Sequence, residues 1–263
     1  MPERRVALVT WASRGIGRCA ALALARRGFD VVITARTVHE GDGRAHSSSA
    51  LVPDVPVPIA GSLDATADGV EQLGRTCVPV PMDLMDRASV ERTAEVALGT
   101  MGRVDVLVNN AIYQGPGTMD RLLDLPLELA ERCLVGDYLH PLLLTQLVLP
   151  QMLERGKGRL VNMLSEAAFH RVTDMCHVEF GARGIWAFSI APGLTLTESM
   201  RASGTDKVLV DAGHVPAPPE IAGEVAAWLG DDADAGRYAG QIVASRKLCK
   251  ELGLVPGWPP PRA

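Results

Sequence analysis

The strongest constraint on the fold lies in the first seventeen residues. VALVTWASRGIG, at 6–17, carries an apolar strand-like run into a glycine-bearing turn and then into a segment, 16–27, rich in the helix formers Ala and Leu. A strand, a tight turn and a helix in that order open an α/β fold. The first N–H groups of such a helix lack intrahelical partners, and the helix dipole adds partial positive charge. The corner therefore suits an anion such as a dinucleotide pyrophosphate. Glycine-rich strand-turn-helix units also occur without any ligand, so the motif acquires meaning only from the rest of the chain.

Strand-like runs recur at 6–10, 31–34, 78–80, 104–109, 159–164, 185–191 and 241–245, and helix-like segments separate most of them. That alternation predicts parallel strands joined by right-handed helical crossovers: an α/β, Rossmann-like doubly wound sheet in three layers. Pro79 and Pro81 would interrupt the ladder of a central strand, which places 78–80 at the sheet's edge, as for the third strand in the order 3-2-1-4-5-6. Val90, Ala94, Ala97 and Met101 repeat at helical spacing behind Asp86, a suitable N-cap. Residues 37–68 differ: Gly, Ser, Pro, Asp and Ala dominate, with PDVPVP in the middle. They read as a surface insertion between the second and third strands, either solvated or folded over the site as a lid.

No linker divides the 263 residues, so 1–263 reads as a single dinucleotide-binding domain. An apolar fraction of 47% supplies a core, and a net charge of −5 without any basic run argues against a nucleic-acid surface. Small molecules are the expected partners. The five cysteines show neither CxxC nor Cys/His spacing, so no disulfide framework and no metal site is expected. MPERR leads straight into the first strand, and the apolar stretch 139–153 is interrupted by Pro141, Gln146 and Pro150. The expectation is a cytoplasmic chain without membrane association.

Several landmarks, in order and in register, resemble the short-chain dehydrogenase/reductase family. TWASRGIG at 10–17 resembles its TGxxxGxG turn, MDL at 82–84 its adenine-contacting segment, and NNA at 109–111 its NNAG segment. GRLVNMLS at 158–165 is similar to the strand that ends in the catalytic serine, and GIWAFSIAPG at 184–193 to the next strand and its PG turn. The resemblance implies hydride transfer between a nicotinamide cofactor and a small carbonyl or alcohol. It further implies that Thr10, Ser13, Arg14, Gly15, Ile16 and Gly17 cradle the cofactor, and that Asp83 and Leu84 meet the adenine. Asn109, Asn110 and Ala111 would line the cofactor and brace the turn, while Pro192, Gly193, Thr195 and Thr197 would lie toward the nicotinamide. Arg36 stands where an acidic residue would hold the ribose hydroxyls. With Arg14 it forms a cationic pair that favours a 2′-phosphate, hence NADP over NAD.

The same resemblance requires a tyrosine acid, a lysine four residues later and a serine. Ser165 fits the serine. Tyr113, Tyr138 and Tyr238 are followed at i+4 by Gly117, Leu142 and Ile242, and the eighteen residues between Ser165 and Gly184 hold neither Tyr nor Lys. The family pattern loses its active-site segment near 173–175, which leaves a shortened crossover before the sixth strand. A short helix there should leave much of the sheet face open, so that either other segments collapse onto it or the chain is marginal, and should weaken the surface through which relatives form homo-oligomers. Trp11 occupies the first glycine position of the turn, where a side chain strains the bend or hinders entry. Asp137 stands at the usual asparagine of the proton relay. His170 and His177 fall in the altered segment and read either as substitute proton donors or as idle surface groups. Lys157 sits at the wrong end of its strand. Two readings follow: an NADP-dependent oxidoreductase with impaired turnover, or a catalytically inactive NADP-binding or interaction protein of the same fold.

Overall fold

The computed structural model describes residues 4–51, 53–118, 120–164, 169–202, 205–211 and 213–259, without the side chains at 205, 208 and 209. The chain runs β1 (Arg5–Val9), α1 (Gly15–Arg26), β2 (Phe29–Ala35), β3 (Arg44–Ala45), β4 (Val57–Pro58), α2 (Leu63–Gln72), β5 (Cys77–Pro81) and α3 (Arg87–Met101). It continues through β6 (Val106–Asn109), α4 (Leu127–Leu134), α5 (His140–Glu154), β7 (Gly158–Met163), α6 (His170–Phe180), β8 (Ile185–Ala191), α7 (Glu198–Ala202) and α8 (Thr205–Asp211). Helix α9 (Pro219–Asp231), β9 (Ile242–Ala244) and α10 (Ser245–Leu252) complete it.

Seven strands form one parallel sheet in the order β5-β2-β1-β6-β7-β8-β9. The strand with Pro79 and Pro81 lies at the edge, both prolines exposed, as their missing N–H groups require. Strand residues alternate between two cores. Ala7, Val9, Val31, Ile33, Val108 and Val161 face α1, α2, α9 and α10, whereas Leu8, Val32, Leu107, Leu160 and Ala187 face α3, α5 and α6. Burial on both faces explains why β1 and β2 read as continuous apolar runs. Asp86 caps α3 as its spacing predicts, its Oδ1 accepting the Ala88 N–H at 3.0 Å.

The shortened crossover closes better than its length suggests. Helix α6 has 11 residues, roughly 16 Å of helix against roughly 20 Å for a six-residue strand. Phe169, Val172 and Cys176 pack on Leu160, Ile185 and Ala187, all buried, so the expected open sheet face is absent here. On the outer side of this layer Leu139, Leu147, Met175 and Val178 are exposed.

The continuous helical run Leu127–Glu154 is long and apolar enough by composition to cross a bilayer. Its Leu144, Val148, Leu149 and Met152 are core residues of the α3–α5–α6 layer.

Of the residues 37–68 read as an insertion, 63–68 belong to helix α2, whose start is capped by Ser62 Oγ accepting the Ala65 N–H at 3.0 Å. The remainder forms the two-residue ladder β3–β4 and is tied across the fold: the Ser49 hydroxyl and the Ala50 N–H bond Asp120, and Thr118 Oγ1 donates to Ser48 O at 3.3 Å.

Candidate functional site

Three adjoining cavities of about 240, 170 and 240 Å³ follow the carboxyl ends of the strands, where open α/β sheets hold ligands. Trp11 lines all three. The first is walled by Ala35, Arg36, Asp83, Leu84, Ala111 and Tyr113, with His46 and Asp54 reaching over it from the inserted segment. The second lies among Gly15, Ile16, Asn110, Met163, Leu164, Pro192 and Thr197. The third gathers Arg14, Arg36, Arg44 and His46, with Asp42 beside them.

The turn after β1 is bolted to the end of β6. Thr10 is buried, and its hydroxyl accepts the N–H groups of Asn110 and Ala111, both at 2.9 Å. Asn110 Nδ2 donates to Thr10 O and Trp11 O at 3.0 and 3.3 Å. Thr10 thus braces the turn rather than facing a ligand. A Cβ on Gly17 would lie 2.3 Å from Trp11 O, so only glycine fits there. Trp11 itself takes φ +55°, the left-handed region that glycine adopts freely and an L side chain does not. Ser13 is fully buried, and its Oγ has no hydrogen-bond partner among the described residues.

At the start of α1, Arg14 is the N-cap and offers no side-chain acceptor, and no acidic residue lies in the first turn. The Gly15 N–H donates instead to Glu198 Oε2 at 3.0 Å. Arg14 and Arg36 line the third cavity together, and Arg14 is also anchored to the loop ahead of α2. Its Nε donates to Ala60 O at 2.8 Å and its Nη2 to Gly61 O, so it anchors the inserted segment. Burial pulls its pKa below the ordinary arginine value; Glu198 and Glu40 oppose that shift and Arg36 adds to it. A third cation beside the exposed Arg36 is Arg44, whose Nη1 is steadied by Gly41 O and Gly43 O at 2.7 and 2.8 Å. His46 pairs with Asp54 at 2.8 Å.

Asp83 lines the first cavity, and its Oδ1 accepts the Met85 N–H at 2.9 Å. Leu84 lines it too, its carbonyl bonded by His140. Asn109 departs from its expected place. It is buried inside the fold, its Nδ2 donating to Thr145 Oγ1 at 3.0 Å and Asn162 Oδ1 at 2.9 Å, and the residue that reaches the crevice is Asn110. Thr195 is likewise withdrawn: it bridges to Ala217, and its hydroxyl bonds Gly193 O at 3.2 Å, while Thr197 lines the second cavity. Gly193 turns the chain at φ +66°.

Ser165 lies outside the described residues. Asp137, in the π-helical turn Val135–Leu139, accepts the Tyr113 N–H at 2.6 Å. His170 is held by Ser189 Oγ at 2.9 Å and by Asp174 at 3.6 Å. Among the described residues lining the second cavity there is no tyrosine, lysine or histidine. Sequence reasoning missed Arg44 and His46, which carry no spacing signal in a low-complexity segment, and Glu198, whose partner lies at the other end of the chain.

Residues 55–177 match the family profile described as short chain dehydrogenase. Among curated proteins the chain is 30% identical over 257 residues to the oxidoreductase UcpA of Salmonella typhimurium, covering 87% of this chain and 88% of that protein. It is 27% identical over 247 residues to an L-rhamnose 1-dehydrogenase (NAD(P)(+)) of Sphingomonas sp., covering 85% and 88%. A carveol dehydrogenase of Mycobacterium avium, solved in complex with NAD, shares the fold with a TM-score of 0.75 at 18% identity, over 91% of this chain and 95% of that one. The chain belongs to the short-chain dehydrogenase/reductase family, whose oxidoreductases use NAD(P).

Proposed function

We propose that the crevice binds NADP and that the chain carries the family's hydride exchange with a small carbonyl or alcohol at a much reduced rate. The observation behind the cofactor preference is the third cavity. Arg36 at the end of β2 and Arg44 from the inserted segment line one space, with His46 beside them and Asp42 as the opposing carboxylate. A 2′-phosphate is an acceptor that guanidinium groups match. The turn fits a diphosphate, since Gly17 has no room for a Cβ and the start of α1 offers its N–H groups.

A bound nicotinamide would give or take the hydride. The chain's own groups at that end, Asn110, Gln114, Thr197 and Ser199, can orient a carboxamide or a carbonyl. None of these side chains titrates near neutrality, so none delivers a proton as a tuned acid does. Losing a general acid lowers rates by about 10²–10⁴. The absence of any Tyr-x-x-x-Lys favours a second reading, a cofactor-binding protein without turnover. On either reading the setting is the cytoplasm, where the five free thiols are at home.

Titrating the full chain with NADPH and NADH, then following NADPH oxidation over a panel of small ketones and aldehydes, tests the proposal. Tighter binding of NADPH with slow turnover is expected. Binding without turnover selects the second reading, and no binding of either cofactor, or turnover at ordinary enzymatic rates, overturns the first.

A further inference from the structure

We infer that Glu198 is an internal competitor for the cofactor's diphosphate, so that the cradle at the start of α1 rests closed by the chain's own carboxylate. This inference rests on reading the crevice as a dinucleotide site. Helix α1 supplies neither a capping oxygen from Arg14 nor an acid in its first turn, and its Gly15 N–H is taken by Glu198 Oε2 at 3.0 Å. The carboxylate comes from 183 residues away. It also acts on the Arg14 guanidinium, raising its pKa as a nearby anion does.

The delivery is built into the backbone. Leu196 N–H bonds Ala217 O at 2.8 Å and Ala217 N–H bonds Leu194 O at 2.8 Å, which fixes the strut ahead of Glu198. Arg201 N–H bonds Thr197 O at 3.1 Å, so Glu198 opens α7 at a set distance from the turn. The Thr197 methyl lies 3.3 Å from where a Gly15 Cβ would stand, leaving no second layer between strut and turn. A carboxylate at a helix N-terminus is stabilised there by N–H donation and the helix dipole. An incoming diphosphate needs the same donor and repels the same charge, so binding must turn Glu198 outward. Cofactor occupancy and the position of α7 are thereby coupled, and by linkage each alters the other.

Calorimetric titration of the full-length wild type, E198A and E198D with NADPH and with adenosine 2′-monophosphate tests this. The second probe lacks the diphosphate. Asp keeps the charge and the start of α7 but is one methylene too short to reach Gly15, so it guards against a folding artefact in E198A; melting temperatures check both variants. The expected result is NADPH binding tightened about three- to tenfold in both variants, with adenosine 2′-monophosphate unchanged. Unchanged or weaker NADPH binding in the variants overturns the inference alone, as does an equal gain for both probes. Failure of all three proteins to bind NADPH overturns the cofactor reading and the inference with it.

Discussion

Asp137 Oδ1 and the N–H of Tyr113 meet at 2.6 Å, both groups buried, and this bond ties the π-helical turn after α4 to the loop that follows β6. The Asp137 carboxylate therefore holds a wall of the first cavity. Asp137→Ala leaves a buried N–H without its acceptor and should lower stability by about 1–3 kcal/mol, whereas Asp137→Asn, which keeps a carbonyl oxygen, should lose less. Urea denaturation of the two variants checks this; equal losses would show that the bond carries no particular weight.

Asn109, Asn162 and Ser189 stand side by side in register on β6, β7 and β8. Thr173 completes the row, accepting from Asn162 Nδ2 at 2.9 Å and meeting Ser189 Oγ at 2.7 Å. Asn162→Ala removes one hydrogen bond from Asn109 and one from Thr173, each of which keeps another partner, and should cost about 1–2 kcal/mol. Because the row lies beneath the crevice, NADPH affinity in the folded variant should stay at the wild-type value, and a large fall in affinity would place Asn162 in the site instead.

Arg36→Gln and Arg44→Gln each remove one cation from the third cavity. A charge-assisted bond to a 2′-phosphate is worth about 1.5–3 kcal/mol, so each change should weaken NADPH by roughly ten- to a hundredfold and leave NADH nearly untouched. The ratio of the two dissociation constants is the quantity to measure. If NADH weakens as much as NADPH, the arginines serve the fold.

Trp11→Gly releases a left-handed backbone that costs an L residue about 1–2 kcal/mol, while the added chain entropy of glycine costs about 0.5–1 kcal/mol. The indole also packs against both cores, so its loss should outweigh that relief and lower stability, and the three cavities should merge. Tighter NADPH binding is the expected outcome in titrations; weaker binding would mean that the indole supports the ligand rather than obstructing it.

Burial raises the Asp30 carboxyl, but the Thr76 N–H, Arg4 at 2.7 Å and Arg75 at 2.9 Å more than offset this and hold it below the ordinary carboxylate value. A lowered folded-state pKa contributes stability that is complete above the unfolded value, about 3.9, and is lost as pH falls through the folded one. Both arginines are partly exposed, so Asp30→Asn should cost only on the order of 1 kcal/mol at neutral pH. That difference should shrink toward zero as thermal melts are taken below about pH 4.

The architecture could be read from the chain because it depends on local pattern. Apolar runs, the Asp86 cap and two prolines in β5 set the strands and their order. Many of the positions named from the sequence line the crevice, among them Gly15, Ile16, Arg36, Asp83, Leu84, Ala111 and Pro192, because the strand ends that carry them are set by the same local pattern. Where a side chain's direction depends on a distant partner, the motif misled. Thr195 is drawn to Ala217, and in the pair Asn109 and Asn110 the first faces the core while the second reaches the crevice. The cover over β7 and β8 is not legible in the length of the crossover, because three inward side chains, Phe169, Val172 and Cys176, supply it.

The prolines of β5 have one more effect. Neither Pro79 nor Pro81 can donate to a neighbouring strand, and at the opposite margin β9 is only three residues long and passes directly into α10. Both margins thus resist edge-to-edge growth into polymers, the hazard that exposed strands ordinarily bring. The sheet is thus finished at both margins within a single chain.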